Sequence, residues 1–465
     1  MTKRFRSCDL NQAYLLPPSL QDWLPEGHLA RFVAEVVEAL DLTAIYATYE
    51  AGDGRGLAAY DPRMMVRVLI YGYCRGVASS RRIERATYED VAFRYLAADQ
   101  HPDHDTIAAF RQEQLTPLAQ LFVQVLKLCQ RAGLVKLGHV ALDGTKIKAN
   151  ASKHKAMSYE GMEKAEKELA AEVQGLLAEA GRVDAEEDGK YGKGKRGDEL
   201  PKELARRESR LEKIREAKAA LEQEAKGAAE KKQAEVAAQL KEREKQERER
   251  ARKLGGRRPQ APDPEAAKPE PQAQRNFTDP ESRIMKDGAT KEFVQAYNAQ
   301  AAVDSHAQVI VGAAVTQEAN DKKQLVPMLK EVQVQMGIPP QQATADNGYF
   351  SESNVTDAQL QGTDLFVAPD RQKHGEKRPD PNGPPPPGAS VAEQMRHKLR
   401  TAEGQAVYKL RKAVVEPVFG QIKEARGFRR FLLRGLRKVQ AEWQMICTTH
   451  NLLKLFRSGW SLQSA

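Results

Sequence analysis

Along residues 1–135 the apolar positions recur at helical spacing. Between His28 and Leu42, the side chains of Leu29, Phe32, Val33, Val36, Val37 and Leu40 fall on one face, because steps of three and four residues return to the same side of a 3.6-residue turn. Asp61-Pro62 reads as an N-cap followed by proline at the first helical position, where a missing N–H costs nothing. That helix runs on through Met64, Met65, Val68 and Ile70 towards Cys74. Further helices are predicted from about Ser80 and from about Asp105. Short helices joined by tight turns and carrying Arg81, Arg82, Arg85, Arg94 and Arg111 suit a helix-turn-helix reader of DNA. A plain helical bundle with solvated arginines fits the same pattern.

At Gly138 the period changes. HVALDGT alternates and ends in a turn, which predicts a strand, and KIKANAS extends it or pairs with it. The helical period returns with Met162, Ala165, Leu169, Val173 and Leu176, and again with Leu204, Leu211, Ile214 and Leu221. Heptad spacing of this kind predicts two long helices folded as a hairpin, partly coiled coil. A Gly- and charge-rich stretch, DGKYGKGKRGDELP, separates them. From Lys226 to Lys253 the chain is almost wholly Ala, Gln, Glu, Lys and Arg, a solvated helix or a disordered segment. GGRRPQAPDPEAAKPEPQ then reads as a Pro-rich spacer.

Folded-domain patterning resumes near Asn276. YNAQAAVD and QVIVGAAV predict a hairpin turning at Ser305-His306, and QLVPMLKEVQVQMG a helix. QQATADNGY is a strand ending in a turn, SESNVTDAQLQG a short helix and DLFVAP a further strand. After the irregular RPDPNGPPPPGAS come AVYKLRKAVVEPVFGQIKEARG and a last amphipathic helix with Val439, Trp443, Ile446, His450 and Leu453. Without the insert the order is three strands, helix, strand, helix, strand, helix. A ribonuclease H-like α/β fold would give that order, although pattern alone does not fix which strands are neighbours. The predicted organisation is therefore an all-α N-terminal domain (1–135), a first piece of the α/β core (136–154), a helical and charged insertion with its linker (155–275), and the rest of the core with a C-terminal helix (276–465).

Composition adds limits. With 41% hydrophobic residues the chain can build cores, while 6% aromatic and 29% charged residues leave part of it core-free. Lys and Arg outnumber Asp and Glu by 73 to 64, an excess that favours a polyanion only if it is clustered. Cys8, Cys74, Cys129 and Cys447 lack C-x-x-C spacing, which predicts reduced thiols in an intracellular protein. No apolar run approaches the roughly 18 residues of a membrane span, and MTKRFRSCDL lacks the apolar stretch of a signal peptide.

Three acids fall at informative places: Asp143 at the end of the first core strand, Asp346 at the end of the fourth, and Glu416 in the helix of VVEPVFGQIK. Strand ends and helix faces are rigid mounts that can aim side chains at one point. Packed acids repel and raise one another's pKa, so such a group makes sense with cations. Hard oxygen-loving ions such as Mg²⁺ are held by one or two carboxylates, and two ions can flank the phosphorus of a phosphodiester. Each acid alone also has a plain reading. Asp143-Gly144 and Asp346-Asn347-Gly348 suit turns, and Glu416-Pro417 suits a helix start. Among the histidines, HPDHD (His101, Asp103, His104, Asp105) reads as a loop and helix cap, His154 is a minor candidate, and His450 suits a satisfied core position. Tyr297, Asn298 and Gln300 sit on an inner strand, where they pack or hydrogen-bond.

Taken in order, the segments LPPSLQDWLPEGHLARFV, YDPRMMVRVLIYGYCRGVASSRRIE, PDHDTIAAFRQEQL, ALDGTKIKANAS, YNAQAAVD, ADNGYFSESN and VVEPVFGQIKEARGFRRFLLRGL resemble the DDE transposases of bacterial insertion sequences. The likeness is to the branch with an N-terminal helical domain and an insertion-interrupted ribonuclease H-like core. The resemblance implies that Asp143, Asp346 and Glu416 bind two Mg²⁺ or Mn²⁺ ions. Related branches carry Tyr and Arg before the Glu and a basic residue seven after it, which points to Tyr408, Arg411 and Lys423. Glu416 stands one residue later than the commonest pattern, and Lys412 shares its helical face better. The basic run through Lys423, Arg426, Arg429, Arg430, Arg434, Arg437 and Lys438, interleaved with Phe428 and Phe431, suits a phosphate-contacting surface. The implied protein cuts and joins double-stranded DNA at element ends and target, works as a homodimer in the DNA complex, and resides in the bacterial cytoplasm with the nucleoid. Two other readings stay open: a nuclease on the same fold that does not join, and a non-catalytic DNA-binding or coiled-coil scaffold.

Overall fold

The computed structural model describes residues 19–50, 58–191, 202–249, 258–288, 290–371 and 383–462. Cys8 and most of the Gly- and charge-rich stretch within the insert lie outside them, as do parts of the Pro-rich spacer and of the Pro-rich loop. The chain forms two compact units, one of residues 1–148 with 297–465 and the other of residues 149–296.

In the first unit the helices are α1 (Leu29–Ala39), α2 (Thr43–Glu50), α3 (Pro62–Cys74), α4 (Ser80–Glu89), α5 (Val91–Leu96), α6 (His104–Glu113) and α7 (Leu115–Arg131). The predicted α1 stripe is the buried face, with Phe32, Val33, Val36 and Val37 inside. Asp61 caps α3 by accepting from the backbone N–H of Arg63 at 2.6 Å and Met64 at 3.3 Å, with Pro62 at the first turn. This satisfies amides that have no partner within the helix.

The sheet begins with β1 (His139–Lys148). In chain order the second unit then carries β2 (Ala156–Ser158), α8 (Tyr159–Tyr191), α9 (Lys202–Glu249), β3 (Gln274–Asn276) and β4 (Arg283–Lys286). β5 (Phe293–Asp304) returns to the first unit, followed by β6 (Ile310–Thr316), α10 (Leu325–Met336), β7 (Gln342–Ala345), α11 (Glu352–Val355) and β8 (Asp364–Val367). The last helices are α12 (Val391–Arg400), α13 (Ala402–Gly420) and α14 (Leu436–Arg457).

Strand order is β5-β1-β7-β8, with β6 pairing on β5 beyond β1. β1, β7 and β8 are parallel and β5–β6 is an antiparallel hairpin. The bonds from Ser305 N–H to His139 O and from Ala149 N–H to Gln295 O set β5 antiparallel to β1. Val140, Ala141 and Leu142 are all fully buried, as expected of a central strand covered on both faces.

β6 is an edge strand, and α14 closes its free side. The Asn451 side chain accepts from Ile310 N–H and donates to Ile310 O, both at 2.8 Å. Gln440 does the same for Val315 N–H at 2.6 Å and Ala313 O at 2.9 Å. Two amide side chains three helical turns apart thus replace a missing neighbour strand, satisfying backbone groups that would otherwise invite pairing with another chain. On its other side α14 packs on α7 and α3, and Phe32 and Phe456 rings meet at 5.4 Å. The N-terminal helices and the sheet therefore share one compact unit, where the sequence pattern suggested a separate domain. The pattern marks which face of each helix is apolar but not what covers it.

In the second unit α8 and α9 pack through Tyr159, Met162, Leu169, Leu211, Ile214 and Leu221, several of the predicted repeat positions. Leu204 lies where side chains are not described. Glu166 bonds Arg215 at 3.1 Å and Lys218 at 3.0 Å across the pair. This unit extends beyond the predicted insert to Ala149 and Ala296 because β4 pairs with the first residues of β5.

At Pro417, expected to kink or restart the helix, α13 runs on without a break and widens into a π turn over Gln421–Ala425. The Gln421 N–H reaches back to Pro417 O and Val418 O. Beyond that turn, fully buried Glu442 accepts from the Leu432 and Leu433 N–H groups at 2.9 Å each. Burial raises its pKa and those N–H groups lower it. Glu442→Ala would remove a buried acceptor from the Leu432 and Leu433 amides, so urea denaturation should show a loss of about 1–3 kcal/mol. An unchanged midpoint would mean that water replaces the carboxylate.

Candidate active site

The parallel ladder between β1 and β7 pairs His139 with Gln342, Val140 with Ala343 and Ala141 with Thr344. Carried two residues further, the same register sets Asp143 opposite Asp346. Alternation along a strand then puts both carboxylates on one face. Asp143 Oδ1 accepts from Gly144 N–H at 2.8 Å within β1, which runs on through the Asp-Gly pair where the sequence suggested a turn, and Asp346 Oδ1 accepts from Gly348 N–H at 2.9 Å in the turn after β7.

The electrostatics of the pair are unfavourable. Burial pushes the Asp143 carboxyl up to about 7, and the neighbouring charge of Asp346 adds to the rise. Arg411, whose Nη1 lies 3.4 Å from Asp143 Oδ2, works against it. Asp346 is also raised, first by burial, with the Gly348 N–H and Arg411 opposing. Burial lowers Lys146, against the pull of Asp321, Asp143 and Asp346. Tyr349 is driven well above its usual value by burial and then by the same three aspartates. Titration out of the ordinary range in one small region marks a candidate functional site.

Asp321, absent from the sequence-based candidates, belongs to this group. It precedes α10, and its Oδ1 accepts from Asn298 Nδ2 and Gln300 Nε2, each at 2.6 Å. Gln300 Oε1 in turn accepts the Tyr349 hydroxyl. The local signal in the sequence, EANDKK before a helix, reads as an ordinary loop. Only the hairpin that brings Asn298 and Gln300 beneath it reveals its place. Of the predicted inner-strand residues, Tyr297 packs, with its ring 6.2 Å from Phe431, while Asn298 and Gln300 hydrogen-bond within the site.

Glu416 stands elsewhere on α13. Arg411 faces Asp143, and the residue one turn on, Val415, is fully buried. Glu416 is one step beyond, about 100° further round the helix, and is exposed together with Lys412. Tyr408 is half-buried against the cluster of Phe366, Ala368 and Leu399, with Arg411 5.8 Å from its ring. Lys423 donates to Thr145 Oγ1 and Lys146 O, both at 3.0 Å, just past Asp143 on β1.

The basic run divides. Arg426 is a correction to the surface expected from sequence: it is buried, with Nη1 donating to Thr449 Oγ1 at 2.8 Å. Burial also brings its pKa down to about 10. Phe428 and Phe431 are core residues, Phe428 stacking on Tyr73 at 5.5 Å. Arg429 and Arg430 are exposed, as are Arg434, Arg437 and Lys438. Arg429 pairs with Glu424. Among the N-terminal arginines, Arg81, Arg82 and Arg85 are exposed on α4. Arg94 pairs with Asp99 at 2.7 Å, and Arg111 is buried, donating to Ala78 O at 2.7 Å.

His101, His104 and His450 have structural partners, while His154 is exposed in the turn Lys153–Lys155. His104 Nδ1 bonds Glu84 at 2.9 Å, His101 stacks on Tyr88 at 3.9 Å, and Asp103 caps α6. Buried His450 meets Gln308 O at 3.0 Å, and burial takes its pKa down to about 3. Cys74, Cys129 and Cys447 are buried free thiols.

Among the described residues, no group of three or more His, Cys, Asp or Glu side chains is gathered closely enough to hold a metal ion. The donor chemistry that is present fits a hard cation: two carboxylates, one on β1 and one just past β7, whose repulsion a cation would relieve. Fully buried Asn298 adds an Oδ1 with no hydrogen-bond partner. Among the described residues no helix is long and apolar enough to cross a membrane.

Comparison with known protein families gives two matches. One is a transposase domain (DUF772) over residues 18–113 and the other a transposase DDE domain over residues 387–456. The first spans most of the N-terminal helices and the second covers α12, α13 and most of α14. Asp143, Asp321 and Asp346 lie between the matched segments. No curated protein and no solved structure matches the chain.

Proposed function

We propose, from the matches to a transposase domain and a transposase DDE domain, a DDE-type insertion-sequence transposase: a metal-dependent enzyme that cuts DNA at element ends and joins the freed 3′-hydroxyl to target DNA. The observation that carries this reading is that Asp143 on β1 and Asp346 just past its parallel neighbour β7 stand close together, both raised by burial. Such a pair has little use without a cation. The DDE match supports a ribonuclease H-like core.

In this reading Asp143 and Asp346 hold Mg²⁺ or Mn²⁺, and Glu416 is the third acid, brought in from its exposed place on α13 when DNA binds. Two bound ions would supply activation of the attacking oxygen and stabilisation of the leaving one. The chain's own groups do the rest. Arg411 holds Asp143 in line, with Tyr408 packed behind it. Lys423, which keeps the strand end after Asp143 in place, and Lys412 beside Glu416 are the cations nearest a scissile phosphate. Exposed Arg429 and Arg430 contact the flanking backbone, and Arg81, Arg82 and Arg85 on α4 reach a second stretch of duplex. Arg426 is assigned no phosphate in this reading. Two element ends must be paired before joining, so the active form is a homodimer on DNA, acting in the bacterial cytoplasm.

The test is strand transfer by the purified full chain with Mg²⁺, a pre-cut element end and a target plasmid. Wild type should join the two, and Asp346→Asn should bind the end without joining it. Hydrolysis of the end with no joined product would favour the nuclease reading. DNA binding with neither reaction would favour the scaffold.

A further inference from the structure

Both aspartates of the pair are followed by a glycine, and both glycines face the same third acid. A Cβ on Gly144 would lie 2.6 Å from Asp321 Oδ1, 2.4 Å from Gln300 Nε2 and 2.8 Å from Asn298 Oδ1. A Cβ on Gly348 would lie 3.0 Å from Asp346 Oδ1 and 3.6 Å from Asp321 Oδ2. The space left by these two missing side chains is what lets Asp321 stand against the pair.

We propose that Asp321 is a positioning residue of this site: its carboxylate locks Asn298 and Gln300 against β1 and adds the third negative charge that draws a divalent cation to Asp143 and Asp346.

The hydrogen bonds give the locking. Asp321 Oδ1 takes both amides, and Gln300 passes the connection to the Tyr349 hydroxyl in the turn after Asp346. The donors also fix the orientation of Asn298. Its Nδ2 is committed to Asp321 and to Glu318 O at 3.1 Å, so Oδ1 must face the gap over Gly144. That oxygen is fully buried and unpartnered, a costly state for a polar atom and one that a cation or its water shell would relieve. A shell of this kind, one step from the ion, commonly sets affinity by 10- to 100-fold, roughly.

The inference rests on the metal-binding reading of Asp143 and Asp346, and its test separates the two. Mn²⁺ binding to the full chain without DNA is followed by the loss of the free-ion paramagnetic resonance signal. Asp321→Asn keeps shape and removes charge. It should weaken Mn²⁺ by about tenfold or more with an unchanged melting temperature, while Asp321→Glu, which keeps the charge, should recover most of the affinity. Glu416→Gln should leave DNA-free binding within about twofold of wild type, as expected of an exposed group that gains ionic contacts late. Wild-type affinity in Asp321→Asn, with binding lost in Asp143→Asn, would overturn the role given to Asp321 and leave the cation site standing. Unaltered binding in both Asp143→Asn and Asp346→Asn would overturn the cation site itself, and this inference with it.

Discussion

Asp143→Asn should make the metal-free protein more stable at pH 8 than wild type while lowering DNA cleavage on the order of 10³-fold or more. The two effects share one cause. The Asp143 carboxyl titrates at about 7 in the folded chain against 3.8 when unperturbed, chiefly through burial and then through Asp346. Between those values the folded state keeps a proton that the unfolded state has released. Stability therefore falls as pH rises through this window, and the full cost is present above about 7. Each unit is worth about 1.4 kcal/mol, so the ionised group costs the fold on the order of a few kcal/mol. Asparagine has no charge to bury and escapes the cost. Thermal melts in EDTA should show little difference between variant and wild type near pH 4 and a widening gain for the variant towards pH 8. A variant that melts below wild type at pH 8 would show that Arg411 stabilises the ionised form more than burial penalises it. The strain is the expected counterpart of function, since a cation site stores repulsion when empty.

Gly144→Ala is the second large effect. Three polar atoms stand 2.4–2.8 Å from where its Cβ would go, closer than any real contact of that atom. Two of the three side chains, Asn298 and Gln300, are fully buried, and the third, Asp321, is bonded to both. None can swing aside without breaking the set. Overpacking of this kind costs about 1–3 kcal/mol, and a shift of β1 at Asp143 should lower activity by about 10²-fold. Gly138→Ala, at the other end of the same segment, meets nothing within 4 Å and is the control. Urea denaturation and a cleavage assay on both variants decide it. Equal behaviour of the two would mean that the site relaxes around the added methyl.

Much of this fold is written in local patterns. The stripe of α1, the Asp61-Pro62 start of α3 and the turn at Ser305-His306 each follow from a few adjacent residues. So does the strand end before Asp346, whereas Asp143-Gly144, which reads locally as a turn, lies inside β1, because the strand is carried on by pairing that no dipeptide reports. The basic run after α13 shows where such reading stops. Arg426 and Arg429 are three residues apart in one cationic stretch, yet one is buried among carbonyls of α14 and the other is exposed. Composition cannot separate them, because the difference lies in which side of the chain meets α14. Phe428 and Phe431 likewise look interleaved for stacking on bases and are instead part of the core.

By itself the sequence marked most of the helices, the strand stretches of the core and the two aspartates on them, since those depend on periodicity and turn chemistry within a few residues. The tertiary structure alone decided that Asp143 stands opposite Asp346, that Asp321 joins them, and that Glu416 faces solvent on α13. Register between strands about 200 residues apart and the rotation of a helix over a sheet are set by long-range packing, on which no local pattern of side chains reports.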